Sequence, residues 1–247
     1  MKDIHNHLLY GIDDGSKSFE DSVRLLGEME KKGVTDIVFT PHYIIGTKYN
    51  CNNEEKRKIL ETLRSHTNIN LYLGNEIFLD NGISEFIEKK EISTINNTKY
   101  LLVEFPLNKN LEYGIEMCDN LIKKGYIPVI AHPERYHYFL LKDLEYLIDS
   151  GCLLQGNITS LIGKYGKDAK RNLELLIKKH MIYLMGTDTH STLSDLESCY
   201  EILKKITTKD MYDDLLFKNF DKVINNEKID RYDIVKTGSF FFKEKIK

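Results

Sequence analysis

The side chains able to do chemistry in this sequence gather at the ends of short apolar runs. His5-Asn6-His7 closes the first run, Pro41-His42 the second, Asn75-Glu76 the third, Val103-Glu104 the fourth and Ala131-His132 the fifth. Asp188-Thr189-His190 closes the last, and Asp13-Asp14-Gly15 lies in the loop after the first. Residues two apart in a strand face the same side, so the imidazoles of His5 and His7 can reach one ion. Asp188 and His190 repeat that arrangement. One H-x-H pair means little in a chain with eight histidines; a ligand-type residue at the end of almost every run means more.

Collected, the candidates are His5, His7, Asp14, His42, Glu76, Glu104, His132, Asp188 and His190. Carboxylates brought together unpaired repel one another and take up protons. Divalent cations remove that conflict. The set is too large for one ion and suits two or three ions sharing bridging carboxylates. Imidazole and carboxylate without thiolate favour Mn²⁺, Fe or Zn²⁺, with Mg²⁺ as a further alternative, over a structural zinc. Arg135, just after His132-Pro133-Glu134, would project from the same place. A guanidinium fork suits a pair of phosphate oxygens, and an ion pair with an acidic neighbour is the competing reading. Asn157 is either a ligand-binding amide or a turn residue.

The elements that must position these groups alternate. Strands are expected over Lys2–His7, Asp36–Pro41, Asn70–Ile77, Tyr100–Pro106, Tyr126–Pro133, Cys152–Ile158 and Ile182–Asp188. Their aliphatic character is that of buried parallel strands. Helices are expected over Ser18–Lys32, Leu111–Lys124, Leu141–Ser150 and Lys167–His180, the first three each stopped by a glycine. Repeated β-then-α units predict a closed or nearly closed parallel α/β barrel, with an open doubly wound sheet as its rival. Catalytic groups of such barrels collect at the C-terminal ends of the strands, so the scattered ligands would share one mouth. Pro41, Pro106 and Pro133, each within two residues of a candidate ligand, would end strands sharply there. One domain is expected over 1–247, with further helix and a Lys-rich tail from about 207. Its Phe240-Phe241-Phe242 run would pack on the barrel or pair in an oligomer.

Composition narrows the function. A net charge of −3 disfavours a nucleic-acid partner. No apolar run is long enough for a transmembrane span, and the N-terminus lacks a signal-peptide core. The four cysteines are widely spaced, which suits reduced thiols and a cytoplasmic location. Cys51 and Arg57 fit the C-x5-R spacing of cysteine-dependent phosphatases. The intervening residues include two acids and no glycine, so that loop would repel phosphate rather than cradle it.

The motifs together resemble the bacterial capsular-polysaccharide-type protein-tyrosine phosphatases of the polymerase-and-histidinol-phosphatase (PHP) superfamily. The resemblance spans Asp3–His7, Gly11–Ser18, Thr40–His42, Gly74–Glu76, Glu104–Pro106, Ala131–Tyr136, Gln155–Asn157 and Gly186–His190. It implies a distorted (β/α)7 TIM-like barrel, the PHP fold, with a manganese-dependent trinuclear site. By the family pattern the first metal would be held by His5, His7, Glu76 and Asp188. The second would take Glu76, Glu104 and His132, and the third Asp14, His42 and His190. Arg135 looks like the family's substrate-phosphate arginine, and His42 or His190 would assist proton transfer. The family often has a second arginine after its last motif. Ser191–Glu197 has none here, which implies a phosphate grip that is weaker or is supplied differently, by Lys164 or a loop lysine. The implied substrate is a phosphotyrosine-bearing protein, the autophosphorylating tyrosine kinase of polysaccharide export. The alternatives are a small-molecule phosphomonoesterase such as a histidinol-phosphate phosphatase, and a catalytically silent regulator that docks on the kinase.

Overall fold

A computed structural model describes residues 1–106 and 111–235. The Phe240–Phe242 run lies outside them. The elements in chain order are β1 (Lys2–Asp3), α1 (Phe19–Lys31), β2 (Asp36–Phe39), β3 (His42–Tyr43), α2 (Asn53–Arg64), β4 (Asn70–Leu73), β5 (Glu76–Phe78) and α3 (Ile83–Glu88). They continue with β6 (Tyr100–Glu104), α4 (Leu111–Lys123), β7 (Ile127–Ala131), α5 (Leu141–Ser150), β8 (Leu153–Asn157), α6 (Gly166–Lys178) and β9 (Leu184–Gly186). After these come α7 (Leu196–Ile206), α8 (Lys209–Asp213), a π-helical turn over Asp214–Lys218 and α9 (Asn219–Ile224).

Every strand pairing is parallel. One sheet runs β1-β2-β4 and the other β3-β5-β6-β7-β8-β9. The ring closes through a parallel bridge between Asn6 and Thr189, with His7 N–H on Thr189 O at 2.9 Å and Asp188 N–H on His5 O at 2.8 Å. The result is a distorted parallel α/β barrel.

The seven expected runs are all present, but two are broken and the first is cut short. The second stops at Phe39 and resumes at His42, because Pro41 has no N–H for the ladder. The third breaks at Gly74-Asn75, and the Asn75 side-chain amide donates to Pro41 O at 2.9 Å, tying the two breaks together. β2 pairs β4 below the breaks and β3 pairs β5 above them, which is why one ring reads as two sheets.

Local signals explain the helices. Ser18 caps α1 by accepting the Asp21 N–H, and Gly33 ends it in the left-handed region (φ 77°). Leu25, Leu26 and Met29 form its buried stripe. The core lies inside and around the ring, with Ile37, Val38, Phe39, Leu102, Val103 and Ile130 each at 0% exposure. Strands buried on both faces need no alternation, which matches their aliphatic runs.

Candidate metal centre

All nine ligand-type side chains meet at the C-terminal mouth of the barrel. His5 and His7 follow β1, His42 opens β3, Glu76 opens β5, Glu104 ends β6, His132 follows β7, and Asp188 and His190 follow β9. Glu76 is the hub. Its Oε2 lies 3.3 Å from His5 Nε2, 3.2 Å from His7 Nε2 and 3.1 Å from His42 Nδ1. Its Oε1 lies 2.9 Å from His132 Nε2, which is 3.8 Å from Glu104 Oε1. Asp14 Oδ1 lies 3.5 Å from Nε2 of both His42 and His190. Asp188 Oδ1 is 3.6 Å from His5 Nε2 and 3.5 Å from His7 Nε2.

The spacing groups these residues four ways: His7, Asp14, His42 and His190; His5, His7 and Glu76; His42, Glu76 and Glu104; and His5, His132 and Asp188, each with donor atoms within 4.8 Å.

The tautomers show what the cluster wants. His7 Nδ1 lies 2.6 Å from Asp13 Oδ2, and His5 Nδ1 lies 2.8 Å from Gln155 Oε1. Both partners are acceptors, so both Nδ1 atoms carry hydrogen. In the neutral rings the Nε2 lone pairs then face each other at 3.2 Å, with carboxylate oxygens beside them. Such an acceptor-only cluster requires positive charge at its centre, from protons or from divalent cations. Burial would lower the His5 imidazole, yet Glu76 and Asp188 hold it at about 9. Burial would raise Glu76 and Asp188, yet the histidines, His5 foremost, keep both well below the carboxylate range. Glu104 goes the other way: burial and the Glu76 charge lift it to about 7. His132 Nδ1 is buried with no hydrogen-bond partner among the described residues.

A supporting layer aims these groups. Asp188 Oδ2 accepts from Asn157 Nδ2 at 2.7 Å, Arg135 Nη1 at 2.9 Å and Tyr165 Oη at 3.0 Å, which leaves Oδ1 to the histidines. Gln155 Nε2 donates to Asn157 Oδ1 at 3.0 Å, so the amides of β8 link His5 to Asp188. Buried Asp3 accepts the Thr187 N–H and hydroxyl, both at 2.8 Å, and fixes the chain entering Asp188. His132 and Asp188 both have left-handed backbone, at φ 35° and 50°. Close approach excludes side chains at two glycines. A Cβ at Gly15 would lie 1.8 Å from His7 O, and one at Gly186 would lie 2.5 Å from His5 Cβ.

Asp13, Gln155, Asp3 and Tyr165 were not among the expected site residues. Asp13 and Asp14 look alike in sequence; only the fold shows that Asp13 turns inward onto His7 while Asp14 faces the mouth. Arg135 lines the mouth as expected, but its Nη1 is engaged by Asp188 and its guanidinium lies 4.5 Å over the Tyr165 ring. Asn157 ends β8 just before the 3-10 turn Ile158–Ile162, and its amide bonds Asp188 and Gln155. Cys51 does not line the mouth, and burial and its Glu55 neighbour push its thiol up to about 12.

The ring of parallel strands and the layout of its mouth define a distorted α/β barrel with a metal-type site at its C-terminal end. The chain belongs to the capsular polysaccharide synthesis CpsB/CapC family, whose profile matches residues 1–225. It is 36% identical over 242 residues to CapC of Staphylococcus aureus, covering 94% of each chain. It is 30% identical over 245 residues to tyrosine-protein phosphatase CpsB of Streptococcus pneumoniae, covering 93% of this chain and 100% of that one. Among solved structures it matches a study of YwqE from Bacillus subtilis and CpsB from S. pneumoniae, described as unique metal-dependent tyrosine phosphatases. That match has a TM-score of 0.85 at 26% identity, covering 97% of this chain and 100% of that one.

Proposed function

We infer that this protein is a metal-dependent protein-tyrosine phosphatase of capsular polysaccharide synthesis. The observation that carries the reading is the meeting of nine imidazole and carboxylate side chains around Glu76 at an open mouth of about 330 Å³, with Arg135 on its wall. The facing Nε2 lone pairs of His5 and His7 fit divalent cations, and the thiolate-free donor set suits Mn²⁺. In this reading His5, His7, Glu76 and Asp188 hold one ion, Glu76, Glu104 and His132 a second, and Asp14, His42 and His190 a third.

Bound divalent ions supply Lewis acidity, which makes water a competent nucleophile near neutral pH and offsets phosphoryl charge. The chain's own groups do the rest. Asp13 and Gln155 keep the His7 and His5 lone pairs pointed inward. Arg135 presents its remaining N–H groups to the phosphoryl oxygens as charge redistributes. A phenolate leaving group has a pKa near ~10 and needs little help from an acid. His190, 31% exposed, and His42, 14% exposed, line the mouth together with His132, and either of the first two would assist proton transfer there.

The proposed substrate is a phosphotyrosyl segment of the tyrosine kinase of polysaccharide export. A reducing, cytoplasmic setting suits the four unpaired cysteines. Among the described residues no helix is long and apolar enough to cross a membrane.

The test is hydrolysis of a phosphotyrosyl peptide after exhaustive chelation and after Mn²⁺ add-back. Activity lost on chelation and restored by the ion is expected. Activity that survives chelation but dies on cysteine alkylation overturns the reading. A higher kcat/KM for histidinol phosphate than for the peptide would replace the protein substrate with a small molecule.

A further inference from the structure

Two cations line the mouth, and they are held differently. Arg135 gives Nη1 to Asp188 and stacks on Tyr165. Lys164 has no carboxylate within ion-pair distance among the described residues; its ammonium lies 5.4 Å over the Tyr165 ring. Its placement is built into the backbone. Gly163 and Gly166 bracket Lys164-Tyr165 with left-handed φ of 82° and 93°. The turn is closed by Lys164 N–H on Thr159 O at 3.3 Å and Gly166 N–H on Gly163 O at 3.0 Å. Tyr165 is anchored to Asp188 at 3.0 Å. A hydrogen-bonded turn thus brings the Lys164 ammonium, stacked on Tyr165 and without a carboxylate partner among the described residues, to the same mouth as Arg135.

We propose that Lys164 is a substrate-binding residue that, with Arg135, clamps the phosphoryl group from the side of the mouth facing β8. Two neighbouring cations are unfavourable alone: partial burial lowers the Lys164 pKa, Asp188 raises it, and Arg135 lowers it again. A phosphate monoester carries about −1.5 to −2 charge at neutral pH and relieves that repulsion. Arg135 has one arm engaged by Asp188, so Lys164 adds a second side-chain donor for the phosphoryl oxygens on this side of the mouth. The argument rests on the phosphatase reading for the identity of the substrate, and on the mouth's geometry for the anion.

The test uses the metal-loaded protein with Lys164→Met and Lys164→Arg, measuring calorimetric binding of inorganic phosphate alongside KM and kcat for a phosphotyrosyl peptide. Lys164→Met is expected to weaken phosphate binding and raise KM about tenfold, near 1.4 kcal/mol. Lys164→Arg should recover most of it. Metal content and thermal unfolding should match the parent in both variants, since Lys164 sits in a surface turn and makes no ion pair among the described residues. Phosphate affinity and KM unchanged in Lys164→Met overturn the proposal. If the parent turns over no phosphotyrosine, the functional reading fails, and the phosphate isotherm still decides the role of Lys164.

Discussion

His7 Nδ1 and Asp13 Oδ2 stand 2.6 Å apart, and the same carboxylate oxygen accepts the His42 backbone N–H at 2.9 Å. One acid therefore sets the tautomer of one candidate ligand and the position of another. Burial would raise Asp13, but the charge of His7 and its hydrogen bonds hold it at about 2. Asp13→Asn keeps the shape but weakens that orientation. Losing such an outer partner costs about 10- to 100-fold in metal affinity or activity. Competition with a chelator of known affinity, compared with the parent, checks the first; peptide hydrolysis at saturating Mn²⁺ checks the second.

Tyr165→Phe removes one of three donors from Asp188 Oδ2 while leaving Asn157 and Arg135 in place. A hydrogen bond to a charged acceptor contributes about 1.5–3 kcal/mol. Tyr165→Phe should therefore lower kcat/KM about tenfold or more, with the fold intact by circular dichroism. An unchanged kcat/KM would show that the two remaining donors hold Asp188 unaided.

Cys51→Ser should leave metal-dependent hydrolysis within about twofold of the parent. Its thiol, pushed up to about 12, is not a nucleophile at neutral pH, and the group lies outside the mouth. Steady-state kinetics before and after thiol alkylation give the same answer by a second route.

Lys56 gives a pH signature separate from the metal centre. It is fully buried on α2, with its ammonium on Asn75 Oδ1 at 2.5 Å and Ser93 Oγ at 3.2 Å. Burial lowers it from 10.5 to about 7. A depressed folded pKa means that the unfolded chain binds more protons between the two values. Stability therefore rises with pH from about 7 to 10.5 and is lost as pH falls back. The slope from one such group approaches about 1.4 kcal/mol per pH unit. Denaturant unfolding from pH 6 to 10, parent against Lys56→Met, should show that slope only in the parent.

Much of the architecture is written in local patterns. α5 occupies Leu141–Ser150 as its apolar spacing and Gly151 require, and the Ser18 cap and Gly33 stop frame α1. The breaks in the second and third strands are less legible. Pro41 signals an end but not a resumption at His42, and nothing local says that Asn75 will reach across to Pro41 O. α2 is hard to read because the charged run Glu54–Lys58 dilutes its apolar period, whereas α7 carries an apolar spacing as regular as that of α1 and still lies outside the expected helices. At the mouth, residue type and strand-end position are enough to pick out the nine converging side chains. Their supports are not legible, since Asp13, Gln155 and Tyr165 earn their roles from partners that only folding supplies. Arg135 illustrates the limit: its side chain was expected to face substrate, and one of its arms is held by an aspartate fifty-three positions along the chain.

His132 and Asp188 sit on left-handed backbone that residues other than glycine seldom adopt, although histidine and aspartate tolerate it better than most. Glycine would relieve the tension at either point and abolish the side chain that matters. The barrel thus keeps two uncomfortable turns in exchange for aim, and the surrounding strands must be stiff enough to hold them. A hyperstable redesign that smoothed these turns would be expected to yield a sturdier but inert molecule.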